Sequence, residues 1–213
     1  MTFIWRCNFI DYCTAYFTSR TFSIKLGSFL SRVYNVVRGC PQGGILSPLL
    51  FAIYYNDVGS ALLGAKYKLF ADDLVFYVFG ENVSSLIDKV NSILLSLNNW
   101  CETMLLSINF GKTEFMIFHK VQNKISEQIA EVLCDGHTIK QVTHFKYLGV
   151  IFDEHFTFEK HFEHVSSRVS GAVGCILQMK RLVNVRMFKI LINSFVFSII
   201  DYCFPVWGKI SQT

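Results

Sequence analysis

The sequence predicts an α+β chain whose end is all-helical. Two observations carry this. Up to about residue 153, short strand-like runs with turn signals alternate with helical stretches, whereas from Phe158 onward apolar residues recur at helical spacing only. No repeat, low-complexity tract or Pro/Gly-rich linker interrupts the 213 residues, which hold only 3 prolines. The organisation is therefore read as 1–153 followed by 154–213, with the change of periodicity as the boundary.

Taken in order, residues 3–17 read as a helix, with aromatic and aliphatic residues at i, i+3 and i+4. Thr21 to Leu26 alternates and runs into Gly27-Ser28, a strand and turn with Arg32 to Arg38 as the expected partner. Gly39 to Pro48 is a loop, and an apolar helix begins at about Leu49. Tyr67 to Phe79 reads as two strands interrupted by Asp72-Asp73. The clearest helix follows, with Ser84 and Ser85 as capping residues, Asp88 in its first turn, and apolar positions from Leu86 to Met104. Thr113 to Phe118 and Tyr147 to Phe152 are strand-like, and Asp135-Gly136 marks a hairpin turn. Phe162, Val165, Val169, Val173 and Ile176-Leu177 form one helical stripe, and a last apolar helix is expected over about 186–202.

Composition excludes disorder: hydrophobic residues are 52% of the chain and charged residues 17%, with 21 phenylalanines. Mean hydropathy is +0.36, which fits either a membrane segment or apolar faces that expect a cover. The run from Met187 to Phe204 is interrupted by Lys189, Asn193 and Asp201, so no spanning helix and no membrane partner are expected. The first segment carries Arg6, Asn8 and Asp11 and does not read as a secretory signal. The 7 cysteines are scattered, with no CxxC spacing, which fits reduced thiols in the nucleus or cytoplasm. Net charge is +4, with basic flanks around an acidic middle, a pattern that suits a polyanion laid across a cation-holding site.

Two segments carry chemistry. Asp72 and Asp73 sit side by side in an apolar, strand-forming run, where burial is costly without a positive partner. At a hairpin tip both can face one site, and carboxylate oxygens select Mg²⁺ or Mn²⁺; the alternative is a solvated turn with Asp chosen for its turn chemistry. The second segment is Gly39-Cys40-Pro41-Gln42-Gly43-Gly44-Ile45-Leu46-Ser47-Pro48. Its glycines let the backbone approach a ligand, and Gln42 offers a donor and an acceptor; alone, it also reads as an ordinary connection. His155, His161, His164 and the Cys134–His137 pair match no standard closed zinc spacing.

Together these segments resemble the reverse transcriptases of non-LTR (LINE-like, jockey-type) retrotransposons. Gly39 to Phe51 resembles that family's motif B, and Tyr67 to Tyr77, with Phe70-Ala71-Asp72-Asp73 at its centre, resembles the metal-binding motif C. Asn56-Asp57 after the motif B helix fits as well. Leu106 to Thr113 is similar to motif D, Phe145 to Val150 to the primer-grip hairpin of motif E, and the tail with Tyr202 and Pro205 to Gly208 to the thumb. Tyr16 to Arg20 fits the segment before motif B.

The resemblance implies a partial polymerase palm, an antiparallel sheet with packed helices, over 1–153, then a helical thumb over 154–213. It implies RNA-directed DNA synthesis by phosphoryl transfer with two Mg²⁺ (or Mn²⁺) ions, an RNA template, a DNA primer and deoxynucleoside triphosphates. Asp72 and Asp73 would hold metal, and Lys112 would lie near the triphosphate as a further catalytic group. Pro41, Gln42, Gly43, Gly44, Phe70 and Ala71 would line the template and nascent pair, and Tyr147, Leu148 and Gly149 would press on the primer. Arg20, Arg38, Arg168, Lys180 and Arg181 are the backbone-contact candidates, with Lys160, Arg186 and Lys189 beside them; each singly also reads as part of a solvated face.

One part of the family pattern is not matched. The family's motif A carboxylate precedes motif B, and Asp11 is the sole acid among residues 1–38. Its helical context does not resemble motif A. The expectation is a chain truncated at its N-terminus, without fingers or motif A, and inactive by itself. The alternatives are a catalytically dead nucleic-acid-binding remnant or a truncated product without function. Oligomeric state, target site and any flanking endonuclease stay open.

Overall fold

The computed structural model describes residues 2–37, 39–41, 43–120 and 131–208. The chain forms two compact units, Met1–Val78 and Phe79–Thr213. The first contains helix α1 (Thr2–Phe17), four two-residue strands β1 (Thr21–Phe22), β2 (Lys25–Leu26), β3 (Phe29–Leu30) and β4 (Tyr34–Asn35), helix α2 (Ser47–Tyr54), a 3₁₀ turn (Val58–Leu62), and strands β5 (Lys66–Phe70) and β6 (Asp73–Tyr77). The 21–35 segment pairs differently from the single strand expected. Thr21 and Phe22 do meet Asn35 and Tyr34, but Lys25 and Leu26 pair with Leu30 and Phe29 in a nested hairpin. Gly27, at φ 61°, supplies the left-handed residue that turns the chain back at once.

β5 and β6 are antiparallel, with Phe70 opposite Asp73 and Lys66 opposite Tyr77. Side chains alternate between the two faces of the pair. Leu69, Leu74 and Phe76 are half-buried on one face, and the 3₁₀ turn beside β5 buries Val58, Ala61 and Leu62. Tyr67 on the same face closes against Gly59, where any side chain would collide with its hydroxyl.

The second unit begins with α3 (Val83–Thr103). Its cap is Asn82, whose side-chain oxygen accepts from the Ser84 and Ser85 N–H groups at 2.8 and 3.4 Å. Ser84 and Ser85 therefore lie inside the first turn rather than capping it, and Asp88 lies beyond that turn, because the cap sits two residues before Ser84. α3 buries Ile87, Ile93, Leu94, Leu97 and Cys101. It docks β8 (Leu133–Cys134), which forms a hairpin with β9 (His137–Thr138) around Asp135-Gly136. The Asn91 amide fastens the two together, accepting from Leu133 N–H at 2.9 Å and donating to Glu131 O at 3.3 Å.

β7 is only Glu114–Phe115, and it pairs in parallel with β10 (Lys140–Gln141). β11 (His144–Tyr147) and β12 (Val150–Asp153) form the longest hairpin of this unit, so the run from Tyr147 to Phe152 is a turn and a strand, not one strand. In place of one antiparallel sheet, the described residues form six two-stranded ladders. The chain is thus mixed helix and small, mostly antiparallel sheets.

α4 (Glu159–Met179) is followed by α5 (Val185–Ile192), a π-helical stretch (Asn193–Phe197), α6 (Ser198–Asp201) and α7 (Phe204–Trp207). The expected single helix over 186–202 is therefore broken. No described helix is long and apolar enough to cross a membrane. The core here is Val150, Phe158, Val165 and Trp207, flanked by Phe152, Val169, Ile199 and Cys203. Burying aliphatic and aromatic side chains of this size stabilises by about 1.5–3 kcal/mol each. Val165 and Ile176 from the expected stripe are buried, but Phe162 is exposed and His161 takes the inner position.

Candidate functional site

In the first unit the hairpin turn places the two aspartates. Ala71 has φ 52°, the positive value that a two-residue hairpin loop requires at its first position. Asp72 is therefore the second loop residue and Asp73 the first residue of β6, paired with Phe70. Both carboxylates are exposed, and among the described residues neither has a hydrogen-bond or ion-pair partner. The desolvation cost expected for two acids in an apolar run does not arise, because the tip carries them into water. Phe70 and Ala71 are exposed beside them. Hard carboxylate oxygens fit a divalent cation of the Mg²⁺ type, which takes one or two carboxylates and fills its shell with water and phosphate oxygens. No third His, Cys, Asp or Glu among the described residues joins them in a ligand cluster.

The glycine-bearing loop belongs to the same unit and is pinned from α1. Ser47 Oγ donates to Pro41 O at 2.6 Å and lies 3.2 Å from Tyr16 Oη. Gly44 sits inside this knot: a Cβ there would strike the Tyr16 hydroxyl and meet Ser47 Oγ at 2.8 Å. Arg20 donates to Gly39 O at 2.5 Å and to Phe17 O at 3.2 Å, so its guanidinium ties the end of α1 to the start of the loop. Gly43, at φ 78°, is exposed, and a Cβ there would meet nothing within 4 Å, which leaves its backbone open to a ligand. Gln42 and Arg38 lie outside the described residues. Asp11 is an exposed residue of α1.

In the second unit Leu148 and Gly149 form the β11–β12 turn with φ 44° and 83°, the pair of positive values of a type I′ turn. The turn is braced by the helical end of the chain. Tyr202 Oη donates to Leu148 O at 2.8 Å, and Trp207 Nε1 donates to Tyr202 O at 2.8 Å. Trp207 meets the His161 ring edge-on at 5.1 Å, and His161 Nδ1 accepts from Ile151 N–H at 3.3 Å. Burial, helped by the charges of His164 and Lys146, pushes the His161 pKa below its ordinary 6.5. A cavity of about 280 Å³ opens beside Gly149 and Tyr202 and is lined also by His164, Arg168 and Ser198.

Lys112 follows a turn closed by its own N–H to Asn109 O at 3.0 Å, and its exposed ammonium has no partner among the described residues. Arg168, Lys180 and Arg181 are exposed on α4 and just past it. Cys134 and His137 do not converge: the thiol donates to Leu94 O at 3.7 Å while the ring stacks on Phe110 at 4.3 Å. Burial raises the pKa values of Cys134 and Cys101, the marks of unreactive thiols.

One grouping escaped the sequence. His119, Glu154 and His155 bring ligand atoms within 4.8 Å of one another. His155 alone carried a signal, since its partners lie 36 residues away in the chain and directly before it.

The family model described as reverse transcriptase (RNA-dependent DNA polymerase) matches residues 6–152. The "Probable RNA-directed DNA polymerase from transposon X-element" of Drosophila melanogaster is 28% identical over 165 residues, 75% of this chain and 18% of that protein. A Pol polyprotein from type-1 retrotransposable element R1 of Bradysia coprophila is 27% identical over 69% of this chain and 15% of its own length. The RNA-directed DNA polymerase from mobile element jockey of Drosophila funebris is 27% identical over 69% of this chain and 16% of its own. The chain thus spans less than a fifth of these relatives. No solved structure matches it.

Proposed function

Because this chain belongs to the reverse transcriptase (RNA-dependent DNA polymerase) family, and its relatives are those of non-LTR retrotransposons, we propose that it carries part of the centre of an RNA-directed DNA polymerase. The substrates are an RNA template, a DNA primer and deoxynucleoside triphosphates. Residues 1–153 act as palm and 154–213 as thumb in this reading. The observation that carries it is the pair of unpartnered, exposed carboxylates at the tip of a hairpin whose other face is packed.

Asp72 is the principal metal ligand and Asp73 the second, and divalent cations held there supply charge neutralisation for phosphoryl transfer. Mg²⁺ is the expected ion, with Mn²⁺ able to substitute. The chain's own residues do the positioning. The open backbone at Gly43, with Pro41, Gln42 and Gly44, lies along the template and nascent pair, with Phe70 and Ala71 flanking it. Lys112, exposed and without a partner among the described residues, is the cation assigned to the triphosphate. Tyr147, Leu148 and Gly149, braced by Tyr202, press on the primer, while Arg168, Lys180 and Arg181 offer charge to duplex phosphates. Arg20 works at one remove, by holding the loop at Gly39.

Two carboxylates without the third of the motif A strand leave these 213 residues inactive by themselves. Primer extension on an RNA template with Mg²⁺ tests both parts. A polypeptide containing this segment together with the remaining polymerase elements extends the primer and stops doing so with Asp72→Ala, whereas the 213 residues alone do not extend it. Extension by the segment alone above its Asp72→Ala control overturns the inactivity. Salt-sensitive binding of primer–template without extension identifies a nucleic-acid-binding piece. Neither binding nor extension, with dye uptake by exposed apolar surface, identifies a product without function.

A further inference from the structure

We propose that His119, Glu154 and His155 form a site for a divalent transition-metal ion, with Zn²⁺ the fitting occupant, that staples residue 119 to the turn after β12. The inference is independent of the polymerase reading and uses none of its residues. Its first support is distance. His119 Nε2 lies 3.8 Å from Glu154 Oε2, and His155 Nε2 lies 3.7 Å from Glu154 Oε1. These separations are too long for hydrogen bonds. Two ligand atoms bound tetrahedrally to Zn²⁺ at about 2.0–2.1 Å stand about 3.4 Å apart. The two distances run to different carboxylate oxygens and the ligand atoms all lie within 4.8 Å of one another, so side-chain rotation that draws them together by up to about 1.4 Å completes the coordination.

The second support is the state of the imidazoles. His155 Nδ1 lies 3.0 Å from His119 O, and His119 Nδ1 lies 3.1 Å from Lys120 O. A carbonyl only accepts, so both Nδ1 atoms carry the proton, and in the neutral rings both Nε2 lone pairs face the carboxylate. Backbone carbonyls behind metal-binding histidines orient ligands in this way.

The third support is local rigidity. His119 N–H donates to Glu154 O at 3.2 Å. Asp153 Oδ1 accepts from His155 N–H and Thr157 N–H at 3.0 Å each, while Oδ2 accepts from Phe158 N–H at 2.6 Å. This turn holds Phe156 and Phe158 at positive φ of 56° and 58°. Phe118 stacks on Phe156 at 4.4 Å, walling one side. The three side chains are each between 21% and 28% exposed, open enough for an ion and sheltered enough to hold one. Two imidazoles and a carboxylate favour zinc or a neighbouring transition ion over Mg²⁺. The fourth position is left to water.

The test is titration of the metal-free, reduced 213-residue chain with Zn²⁺ against a chromophoric competitor, alongside Co²⁺ absorption spectra. One equivalent binds, and Glu154→Gln, a same-shape change that keeps the turn, weakens it at least about tenfold. His119→Ala with His155→Ala abolishes it, while Cys175→Ser leaves it unchanged. Zn²⁺ at about a hundred times its Kd raises the thermal midpoint by about 5 °C or more in the unaltered chain and not in the double variant. The Co²⁺ spectrum of the unaltered chain shows no thiolate charge-transfer band, a readout that needs no variant to fold. Absence of stoichiometric binding, a thiolate band, or affinity unchanged by Glu154→Gln and by the double substitution overturns the proposal.

Discussion

The β5–β6 and β11–β12 hairpins are built alike and held differently. Both are antiparallel pairs joined by two-residue loops, and both start the loop with a non-glycine residue at positive φ, Ala71 and Leu148. At the first, the loop projects into water and carries Asp72 and Asp73 without partners. At the second, Tyr202 closes on the loop carbonyl, Trp207 holds Tyr202, and His161 takes the Ile151 amide. In the proposed function the first tip takes cations and phosphates, which suits free polar atoms, and the second presses on a primer strand, which suits stiffness. The difference is one of open against occupied hydrogen-bonding capacity, and substitutions can exchange the two conditions.

The braced hairpin is the easier to break. Trp207→Ala removes a side chain only 4% exposed at the centre of its core, and is expected to cost about 3–5 kcal/mol in urea denaturation of the second unit. A loss under about 1 kcal/mol would mean that the helical end is not what holds β11–β12. Asp72→Asn does the reverse at the solvated tip. It is expected to change stability by less than about 0.5 kcal/mol, yet to lower nucleotide incorporation by an intact polymerase carrying this segment roughly 10²- to 10³-fold. Equal losses in both properties would show that the tip is structural after all.

His161 gives the comparison a pH axis. Its folded pKa lies below the ordinary 6.5, so the unfolded chain takes up a proton first as pH falls. The stability it contributes is complete above 6.5 and is lost progressively below it. Denaturation midpoints of the second unit between pH 7.5 and pH 5 should therefore fall, and the fall should flatten in His161→Gln. A smaller effect is expected of Tyr202→Phe, which deletes the donor to Leu148 O and should cost about 1 kcal/mol, read as faster amide exchange in β11 and β12. Unchanged exchange would put the bracing in Trp207 alone.

Much of this contrast was legible in the sequence, and what was not has physical causes. The Asp-Asp turn, the Asp135-Gly136 turn and the helices near 3–17, 84–104 and from 159 follow from periodicity and turn chemistry. Pairing partners followed less well, because Gly27 permits a hairpin tight enough to take Lys25 and Leu26 away from the more distant partner. Periodicity marked Phe162 as inward, but Ile151 N–H and Trp207 give an imidazole a better place there. The cap went to Asn82 because its carbonyl oxygen reaches two amides from an extended backbone. His119 meets Glu154 and His155 through long-range hydrogen bonds, from His119 N–H to Glu154 O and between His155 Nδ1 and His119 O, which a hydrophobic pattern does not encode. Lys112 and the α4 basic residues were placed on open surface, and their ligands are set by partners no single chain displays.

The finest distinction between the hairpins concerns the loop residues themselves. A left-handed conformation costs a non-glycine residue about 1–2 kcal/mol, and Ala71 at φ 52° has no neighbour described as compensating it. Leu148 at φ 44° is fastened through its carbonyl by Tyr202. Ala71→Gly relieves the first strain but frees the unfolded backbone, so the net gain should be at most about 1 kcal/mol. The informative readout is metal affinity at Asp72 and Asp73. A loop held in one conformation by its alanine presents both carboxylates together, so Ala71→Gly should weaken Mn²⁺ binding, by a few-fold, while stability rises or stays level. Tighter Mn²⁺ binding would show that the strain opposes the site, and that the exposed tip is shaped by turn chemistry alone.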